Sequence, residues 1–390
     1  MTTEPTTTND PLALLCEAME PSRQMAYFDH AALSPLPRQT AQTIVDYANK
    51  STQVGNVHWL EWLNQAEEAR DAAAEMIGAS RDEITFTPST TYGINLVSEG
   101  LDWREGDNLV TLEDEFPTNL YPWMHLESRG VECRRIVSDN GIIDYDALAE
   151  ACDSRTRLIS VSWVGYRTGY RIDLAKMSQF CRERSILFNL DAIQALGVFP
   201  IDVSKVHIDF LATGGQKWLL GPEGIGFAYI KQEHIEKLRP INVGWNSVAN
   251  PFDYGHIELD FKPNAARFAG GGWNMCGTMA MGQSLKLLNQ VGAEAMSERV
   301  LDYTDLACER LASAGAVITN NRDKQHRNGE HRSGIVYFEL PGRDPVKVRE
   351  QCIERNIVLS CRAGKLRISP HAYNTTEDLD RLIEAISDAQ

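Results

Sequence analysis

From residue 83 to residue 191, short apolar runs of strand length alternate with amphipathic stretches of helical period. The apolar runs are EITFT (83–87), NLVTL (108–112), CRRIV (133–137), RLISVSW (157–163) and ILFNLD (186–191). Because parallel strands need long crossover connections, this alternation predicts an α/β chain with a mostly parallel sheet between helices. Two later runs, IDFLAT (208–213) and GIGFAYI (224–230), have no helical pattern between them, which predicts at least one antiparallel pairing at a sheet edge.

Helical periodicity also marks the rest of the chain. The predicted helices lie at 11–25, 38–54, 59–78, 91–100, 117–129, 145–152, 174–184, 283–313, 345–355 and 376–388. The residues after 283 combine three of these helices with the strand-like runs AVIT, GIVYFEL, IVLS and KLRIS. This combination predicts a smaller α+β unit. Residues 240–282 are rich in Gly, Asn and aromatics and too long for a passive connection, so we expect them to line a site or a subunit interface.

Charge and composition restrict the partners. The 390 residues contain 38 Lys+Arg against 54 Asp+Glu, a net charge of −16, which argues against nucleic acid or an anionic membrane surface as a partner. No apolar run reaches membrane-spanning length and the first ten residues do not resemble a secretory signal, so we expect a cytoplasmic protein. The eight cysteines are scattered without CxxC or zinc-ligand spacing, which predicts reduced thiols and no bound metal.

Residues with reactive or anion-binding side chains come directly after the predicted strands. They are Ser89, Thr90 and Thr91 at a helix start, Phe116, Asp191 with Gln194 close behind, and Lys217 in GGQK. Taken singly, each has an ordinary structural explanation as a cap, a turn residue or part of the core. Carboxyl ends of parallel strands meet at one edge, so we expect these groups to share a crevice. Pyridoxal phosphate (PLP) requires four groups in one place: an anion cradle for its phosphate, a flat hydrophobic side chain against its ring, a carboxylate and a lysine.

The chain resembles the class V aminotransferases, fold-type I PLP enzymes that include cysteine desulfurases, selenocysteine lyases and isopenicillin N epimerase-like proteins. The resemblance runs from YFDHAALSPLP (27–37) to LRISPHAYNTTEDLDRL (366–382) and is strongest in TTYGINLV, DAIQALG and GGQKWLLGPEGIGFAYI. It implies a large PLP-binding domain at 31–282 with a sheet of seven-stranded type, and a small domain formed by 1–30 and 283–390. It also implies a homodimer whose active site lies near the interface, at the Gly-rich loop 268–277.

The resemblance implies roles for individual cofactor-site residues. Lys217 would form the Schiff base, Asp191 would pair with the pyridine nitrogen and keep a depressed pKa beside it, and Gln194 would bond the ring hydroxyl. Thr90 and Thr91 fall where the family holds the phosphate. Phe116 falls where desulfurases carry a stacking histidine, so it can stack but cannot transfer protons.

Several positions depart from the family pattern. Gln216 replaces a histidine, Gly214 replaces a phosphate-binding serine and leaves Thr213 as a possible donor, and Gly272 replaces a threonine that reaches the partner subunit's phosphate. Tyr166 falls near an asparagine that contacts the ring or substrate. The resemblance therefore implies that phosphate binding relies more than usual on the helix N-terminus and backbone.

On the substrate side, the resemblance makes Arg367 the binder of an amino acid's α-carboxylate, with Arg362 as the alternative, and places Tyr166 and His30 nearby. Cys361 is out of register with the persulfide cysteine of the desulfurases, so we expect it to be a core thiol. Four aromatics suggest a mouth for a substrate larger than cysteine, or dimer packing; they are Trp163, Tyr166, Trp245 and Trp273.

Lys217 is therefore the expected base at the substrate Cα. The order of expected reactions is C–S lyase or desulfurase-like chemistry without a persulfide cysteine, then transamination, then epimerisation. A family member that has lost catalysis is kept as a further alternative. A dehydrogenase is disfavoured because no GxGxxG follows the first strand.

Overall fold

The computed structural model describes residues 10–272, 274–320 and 331–388. Its strands are β1 (Ala26–Tyr27), β2 (Ile84–Thr87), β3 (Asn108–Leu112), β4 (Glu132–Ile136), β5 (Thr156–Ser162), β6 (Leu187–Asp191), β7 (Phe210–Gly214), β8 (Gly226–Ile230), β9 (Val317–Ile318), β10 (Val336–Glu339), β11 (Ile357–Val358), β12 (Ser360–Arg362) and β13 (Lys365–Ile368). Its helices are α1 (Pro11–Ala18), α2 (Arg38–Val54), α3 (Trp59–Ile77), α4 (Thr90–Gly100), α5 (Tyr121–His125), α6 (Tyr145–Glu150), α7 (Leu174–Glu183), α8 (Met275–Val291), α9 (Ala293–Ser313), α10 (Pro345–Glu354) and α11 (Thr376–Asp388). None of the helices in these described ranges is long and apolar enough to cross a membrane.

Seven strands form the main sheet, in the order β2-β8-β7-β6-β5-β3-β4. Strand β8 runs against its neighbours, pairing antiparallel with both β7 and β2, while the other pairs of this sheet are parallel. The predicted mostly parallel, mixed sheet is thus confirmed, and so is the antiparallel pairing at an edge. The strand that occupies this edge is β2, which comes early in the chain and adds outside β8.

Both faces of this sheet are buried, as helical layers on either side require. Side chains that alternate along a strand enter different cores: Leu109 packs with Leu96, Val97 and Trp123 on one face, whereas Val110 packs with Ile159 on the other. Strands of this sheet therefore appear in the sequence as continuous runs of apolar residues.

Three helix predictions need correction. The single helix predicted at 283–313 is two helices, α8 and α9, because Gly292 has φ 86° and ends α8. In place of a helix at 117–129 there is only α5 with a 3₁₀ turn on each side, at Pro117–Asn119 and Leu126–Arg129. The segment at 11–25 is α1 followed by a 3₁₀ turn at Glu20–Gln24.

A second, four-stranded antiparallel sheet has the order β12-β13-β10-β9. Strand β1 pairs in parallel with β11, so the N-terminal segment joins the C-terminal part of the chain. This region has its own core, which includes Phe28, Tyr303, Phe338, Leu366 and Leu382. The division into 31–282 and 1–30 with 283–390 stays a prediction.

Candidate active site

The residues predicted to hold the cofactor follow strands of the main sheet. Strand β2 leads into α4, which begins at Thr90. Strand β6 ends at Asp191, which pairs in parallel register with Ala212 of β7, and β7 leads through Gly214 towards Lys217. The expected convergence at one sheet edge follows from this parallel register.

Lys217 is half-buried and Asp191 is buried, and they lie close enough for each charge to act on the other. Burial lowers the pKa of Lys217 to about 8, while Asp191 raises it and Arg367 and Arg362 lower it further. Burial raises the pKa of Asp191 to about 6, against the lowering effects of a hydrogen bond from the Ile193 amide (3.0 Å) and of Lys217. The pKa of Asp191 in the chain alone is therefore raised, whereas a depressed pKa beside a pyridinium is expected from the sequence. The carboxyl group therefore gains strongly from a cationic partner.

A small cradle lies at the start of α4. Ser89 caps the helix by accepting a hydrogen bond from the Tyr92 amide (3.2 Å). The buried Thr90 Oγ1 has no hydrogen-bond partner among the described residues. A Cβ added at Gly214 would lie 3.2 Å from Thr90 Oγ1 and would overlap the Gln216 side-chain oxygen. Thr90, Gly214 and Gln216 thus border one space beside a helix N-terminus, which suits a phosphate group.

The other two threonines assigned to the phosphate are placed differently. Thr91 is exposed, and its hydroxyl lies 2.9 Å from the hydroxyl of Thr118. Thr213 is buried, and its hydroxyl donates to the Gly214 carbonyl at 3.3 Å. The structure therefore supports Thr90 and the Gly214 space more directly than it supports Thr91 or Thr213.

Phe116 lies over the lysine. Its ring centroid is 5.7 Å from Lys217 Nζ, and the ring of Tyr166 meets it edge-on with centroids 5.0 Å apart. Phe116 is 44% exposed although it is aromatic, so one of its sides faces open space. A flat ring bound at Lys217 can pack against Phe116 in the way that the sequence predicts.

Gln194 is held by the side chain that follows the lysine and by a carbonyl of the N-terminal segment. Its Oε1 accepts from Trp218 Nε1 at 2.9 Å, and its Nε2 donates to the Ala31 carbonyl at 3.0 Å. One hydrogen of the amide nitrogen remains for a further acceptor. A bond from Gln194 to a cofactor hydroxyl is compatible with this geometry and stays a prediction.

The two arginines lie on neighbouring strands of the second sheet. Arg367 of β13 is buried, forms an ion pair with Asp29 (2.9 Å), and donates from Nε to Ser360 Oγ (3.0 Å). Arg362 of β12 is exposed. Both act on the pKa of Lys217, so both lie on its side of the molecule.

Other predicted residues are not brought to this centre. His30 is fully buried, with Nδ1 2.8 Å from the Ser369 carbonyl and Nε2 2.8 Å from the Tyr373 hydroxyl. Because both ring nitrogens are engaged inside the protein, we assign His30 no substrate contact, which corrects the expectation from the sequence. Trp163 is likewise a core residue packed on Phe199, not part of a mouth.

Gly272 and Trp245 line a separate groove. This cavity of about 580 Å³ is bordered by aromatic side chains that include Tyr47, Trp59, Trp62 and Phe252. A side chain at Gly272 would meet nothing within 4 Å among the described residues, and the cofactor role expected of this position stays a prediction. Trp273 lies outside the described residues.

Sequence reasoning missed Glu115. This carboxyl group is buried directly before Phe116 and accepts hydrogen bonds from the Ser162 amide (2.6 Å) and hydroxyl. Burial raises its pKa to about 7, and the negative charge of Asp191 adds to the rise. Phe116 was found because it comes soon after the end of a strand, and the same signal applies equally to its neighbour Glu115.

Within the described part of the chain, one group of possible metal ligands lies elsewhere. Asp209, Glu233 and His234 each place a ligand atom within 4.8 Å of the others. Asp209 precedes β7, at the sheet edge opposite Lys217, and the Lys231 ammonium group already lies 2.8 Å from Glu233. We assign no metal to it.

These features together define a fold-type I PLP enzyme: a half-buried lysine, a buried carboxylate, an anion cradle and a stacking aromatic at the edge of a mixed, mostly parallel sheet. Residues 26–382 match the model of the aminotransferase class V family, and the chain belongs to this family. Its cofactor is pyridoxal phosphate, as the sequence predicts.

Known proteins resemble the chain along nearly all of its length. A probable cysteine desulfurase of Methanothermobacter thermautotrophicus is 28% identical over 388 residues, covering 94% of this chain and 95% of the relative. The apo structure of a cysteine desulfurase from Thermococcus onnurineus NA1 matches with a TM-score of 0.87 and 24% identity over 98% of both chains. The cystine C–S lyase C-DES, solved with its product cysteine persulfide, matches with a TM-score of 0.85 and 21% identity over 95% of this chain and 99% of that one. The two solved structures support the fold.

Proposed function

We propose that this enzyme breaks a bond at the β-carbon of a sulfur-containing amino acid, as a C–S lyase or desulfurase-like enzyme that uses no persulfide cysteine. The observation that carries the proposal is the pairing of Lys217 with a half-open Phe116 beside two arginines. Relatives named cysteine desulfurase, and a fold neighbour titled as a cystine C–S lyase, support sulfur chemistry.

PLP, when bound, supplies an electron-withdrawing ring that lowers the barrier to bond breaking at Cα and Cβ. The residues of this chain would hold that group and manage protons. Thr90, the α4 N-terminus and Gln216 would bind phosphate. Asp191 would hold a cationic ring nitrogen, and Phe116 would pack on the ring.

Proton transfer at the substrate Cα falls to Lys217. A base works best when its pKa lies near the working pH, and burial brings that of Lys217 to about 8. Phe116, at the position where desulfurases carry a histidine, has no titratable group. The amine of Lys217 can therefore take a proton at Cα and return one, and the fate of that proton separates elimination, transamination and epimerisation.

The orientation of Cys361 supports a mechanism without a persulfide. In β12 it pairs with Leu366, which is buried in the small-sheet core. Side chains alternate between the two faces of a strand, so Cys361 points away from the face that carries Ser360 and Arg362. Elimination that releases the sulfur product directly needs only a base and a good leaving group.

We also propose a homodimer, with the groove lined by Gly272 and Trp245 at or near the subunit interface. Large apolar side chains are exposed beside this groove, among them Val57, Leu60, Phe252, Tyr254 and Ile257. Burying such a patch against a second copy would remove it from water.

The test is a panel assay on the PLP-loaded protein. Amino acids that include cysteine, cystine and alanine are incubated in deuterium oxide, and sulfide or persulfide, keto acid, and deuterium at Cα are scored separately. Sulfur release that is lost in Lys217→Ala and kept in Lys205→Ala, an exposed lysine paired with Asp202, is the expected result. Full turnover by Lys217→Ala would refute the assignment of the base. Keto acid without sulfur release would replace the lyase by an aminotransferase.

A further inference from the structure

The segment that joins β3 to Phe116 is fastened to the main sheet by a buried acid. Glu115 is 6% exposed, and both of its carboxyl oxygens bond to one residue: Oε1 accepts from the Ser162 amide at 2.6 Å, and Oε2 accepts from the Ser162 hydroxyl. Burying a carboxyl group costs free energy unless its oxygens form hydrogen bonds. This pair of bonds, here called the Glu115 clamp, therefore holds the segment at the end of β5.

The neighbouring strand end carries the acid expected at the ring nitrogen of PLP. Ser162 of β5 lies in register with Asp191 of β6, and the Trp163 amide donates to the Asp191 carbonyl at 2.9 Å. Side chains of residues that pair in parallel register project from the same face of a sheet. Ser162 and Asp191 are thus neighbours on one face, and Asp191 is close enough to raise the pKa of Glu115.

Phe116, the next residue after Glu115, is held only in part by packing. It is 44% exposed, it meets Tyr166 edge-on, and its ring centroid is 5.7 Å from Lys217 Nζ. Pro117 follows directly and favours an extended backbone at Phe116, which has φ −65° and ψ 144°. Because one edge-on contact is weak, the place of the Phe116 ring depends on where the backbone of Glu115 is held.

We propose that Glu115 is a positioning residue for the cofactor ring: the Glu115 clamp sets the distance between Phe116, which packs on the ring, and Asp191, which meets the ring nitrogen. The inference rests on the part of the proposed function that places PLP between these two residues, and it does not depend on the reaction that follows. Phe116 adjoins Glu115 and Asp191 adjoins Ser162, so the clamp links the two sides of the ring site. A flat ring gains packing energy only over a narrow range of separations.

The test is a double-mutant cycle on PLP affinity. The dissociation constant of PLP is measured by tryptophan-fluorescence titration of the full-length chain for the parent, Glu115→Ala, Phe116→Ala and the double variant. Glu115→Ala should weaken PLP binding about 5-fold or more, because Phe116 is no longer held against the ring. It should cause little further loss once Phe116 is alanine, whereas a residue that only supports the fold would weaken binding by the same factor in both backgrounds.

Matched variants separate the hydrogen bonds of Glu115 from its charge. Glu115→Gln can keep both contacts, with Oε1 accepting from the Ser162 amide and Nε2 donating to the hydroxyl, so its PLP affinity should stay near that of the parent. Glu113→Ala removes an exposed acid two residues earlier and should leave the affinity unchanged. Should Glu115→Ala fail to fold, Ser162→Ala removes the hydroxyl contact and takes its place in the cycle, and its effect should likewise disappear in Phe116→Ala.

The outcomes separate this inference from the proposed function. Additive losses in the cycle, or unchanged affinity in Glu115→Ala while Phe116→Ala weakens binding, would overturn the positioning role and leave the proposed function standing. Coupling in the cycle together with no sulfur release from the amino-acid panel would do the reverse. If Phe116→Ala bound PLP as tightly as the parent, the ring would not pack on Phe116, and both this inference and the proposed placement of PLP would fail.

Discussion

The buried acid Glu115 should make the protein less stable as the pH rises. Its pKa is raised from the ordinary 4.5 to about 7, first because burial disfavours the charged form and also because Asp191 repels it. In the unfolded chain the acid ionises near its ordinary value. The stabilisation is therefore fully present below about pH 4.5 and is lost as the pH rises through about 7. Each pKa unit is worth about 1.36 kcal/mol, so the rise of the Glu115 pKa from 4.5 to about 7 corresponds to a loss of about 3 kcal/mol in the free energy of unfolding.

Glu115→Gln is the matched perturbation. The amide keeps the shape of the neutral acid, with Oε1 accepting from the Ser162 amide and Nε2 donating to the Ser162 hydroxyl. Urea unfolding of the PLP-loaded parent and variant is followed by tryptophan fluorescence at pH 5 and pH 8.5. Between these two values the parent should lose about 2–3 kcal/mol more free energy of unfolding than the variant does.

Glu113→Gln, an exposed acid just before Glu115, is the control and should follow the parent at both pH values. Comparing each variant with the parent removes the contributions of all other titrating groups. If Glu115→Gln shows the same pH dependence as the parent, then Glu115 is ionised in the folded protein at neutral pH and the reasoning from burial fails.

The remaining predictions concern the cradle, the ring and the core. Gly214→Ala should weaken PLP binding about 10-fold or more, measured by fluorescence titration, because its Cβ would enter the space between Thr90 and Gln216. Phe116→Ala should weaken PLP binding by about 1–2 kcal/mol from lost ring packing, and Phe116→Tyr should keep most of it. Gly226→Ala should lower the free energy of unfolding by about 2 kcal/mol or more, since its Cβ would overlap the rigid Thr213 carbonyl. His371, whose pKa burial lowers to about 4, resists protonation in the fold, so stability should fall as the pH drops below 6.5, and less steeply in His371→Gln.

Most of the sheet and the centre of the site could be predicted from the sequence, because both rest on local patterns. The strand-length apolar runs, and the residues that directly follow them, predict one shared sheet edge for Thr90, Phe116, Asp191 and Lys217. The family and the cofactor are confirmed by the class V match. The break at Gly292 was missed because the amphipathic period continues on both sides of it, and a single backbone angle ends the helix.

Contacts between distant segments could not be predicted in this way. Ser369 and Tyr373, which engage both nitrogens of His30, lie more than 330 residues further along the chain. Asp29, which fixes Arg367, is equally remote from it. Neither contact leaves a local pattern in the sequence. Only the fold shows that His30 is internal and that Arg367 already has Asp29 as a partner.

The position of β2 has a consequence for how the protein is made. This edge strand bonds only to β8, whose residues come about 140 positions later in the chain. Strand β2 leads to the anion cradle, and β8 completes the turn that carries Lys217. During synthesis on the ribosome, residues 84–87 therefore gain their strand partner only after β8 has been made, and long-range pairings of this kind form slowly. One late pairing thus joins the strand that leads to the anion cradle with the strand that follows the Lys217 turn.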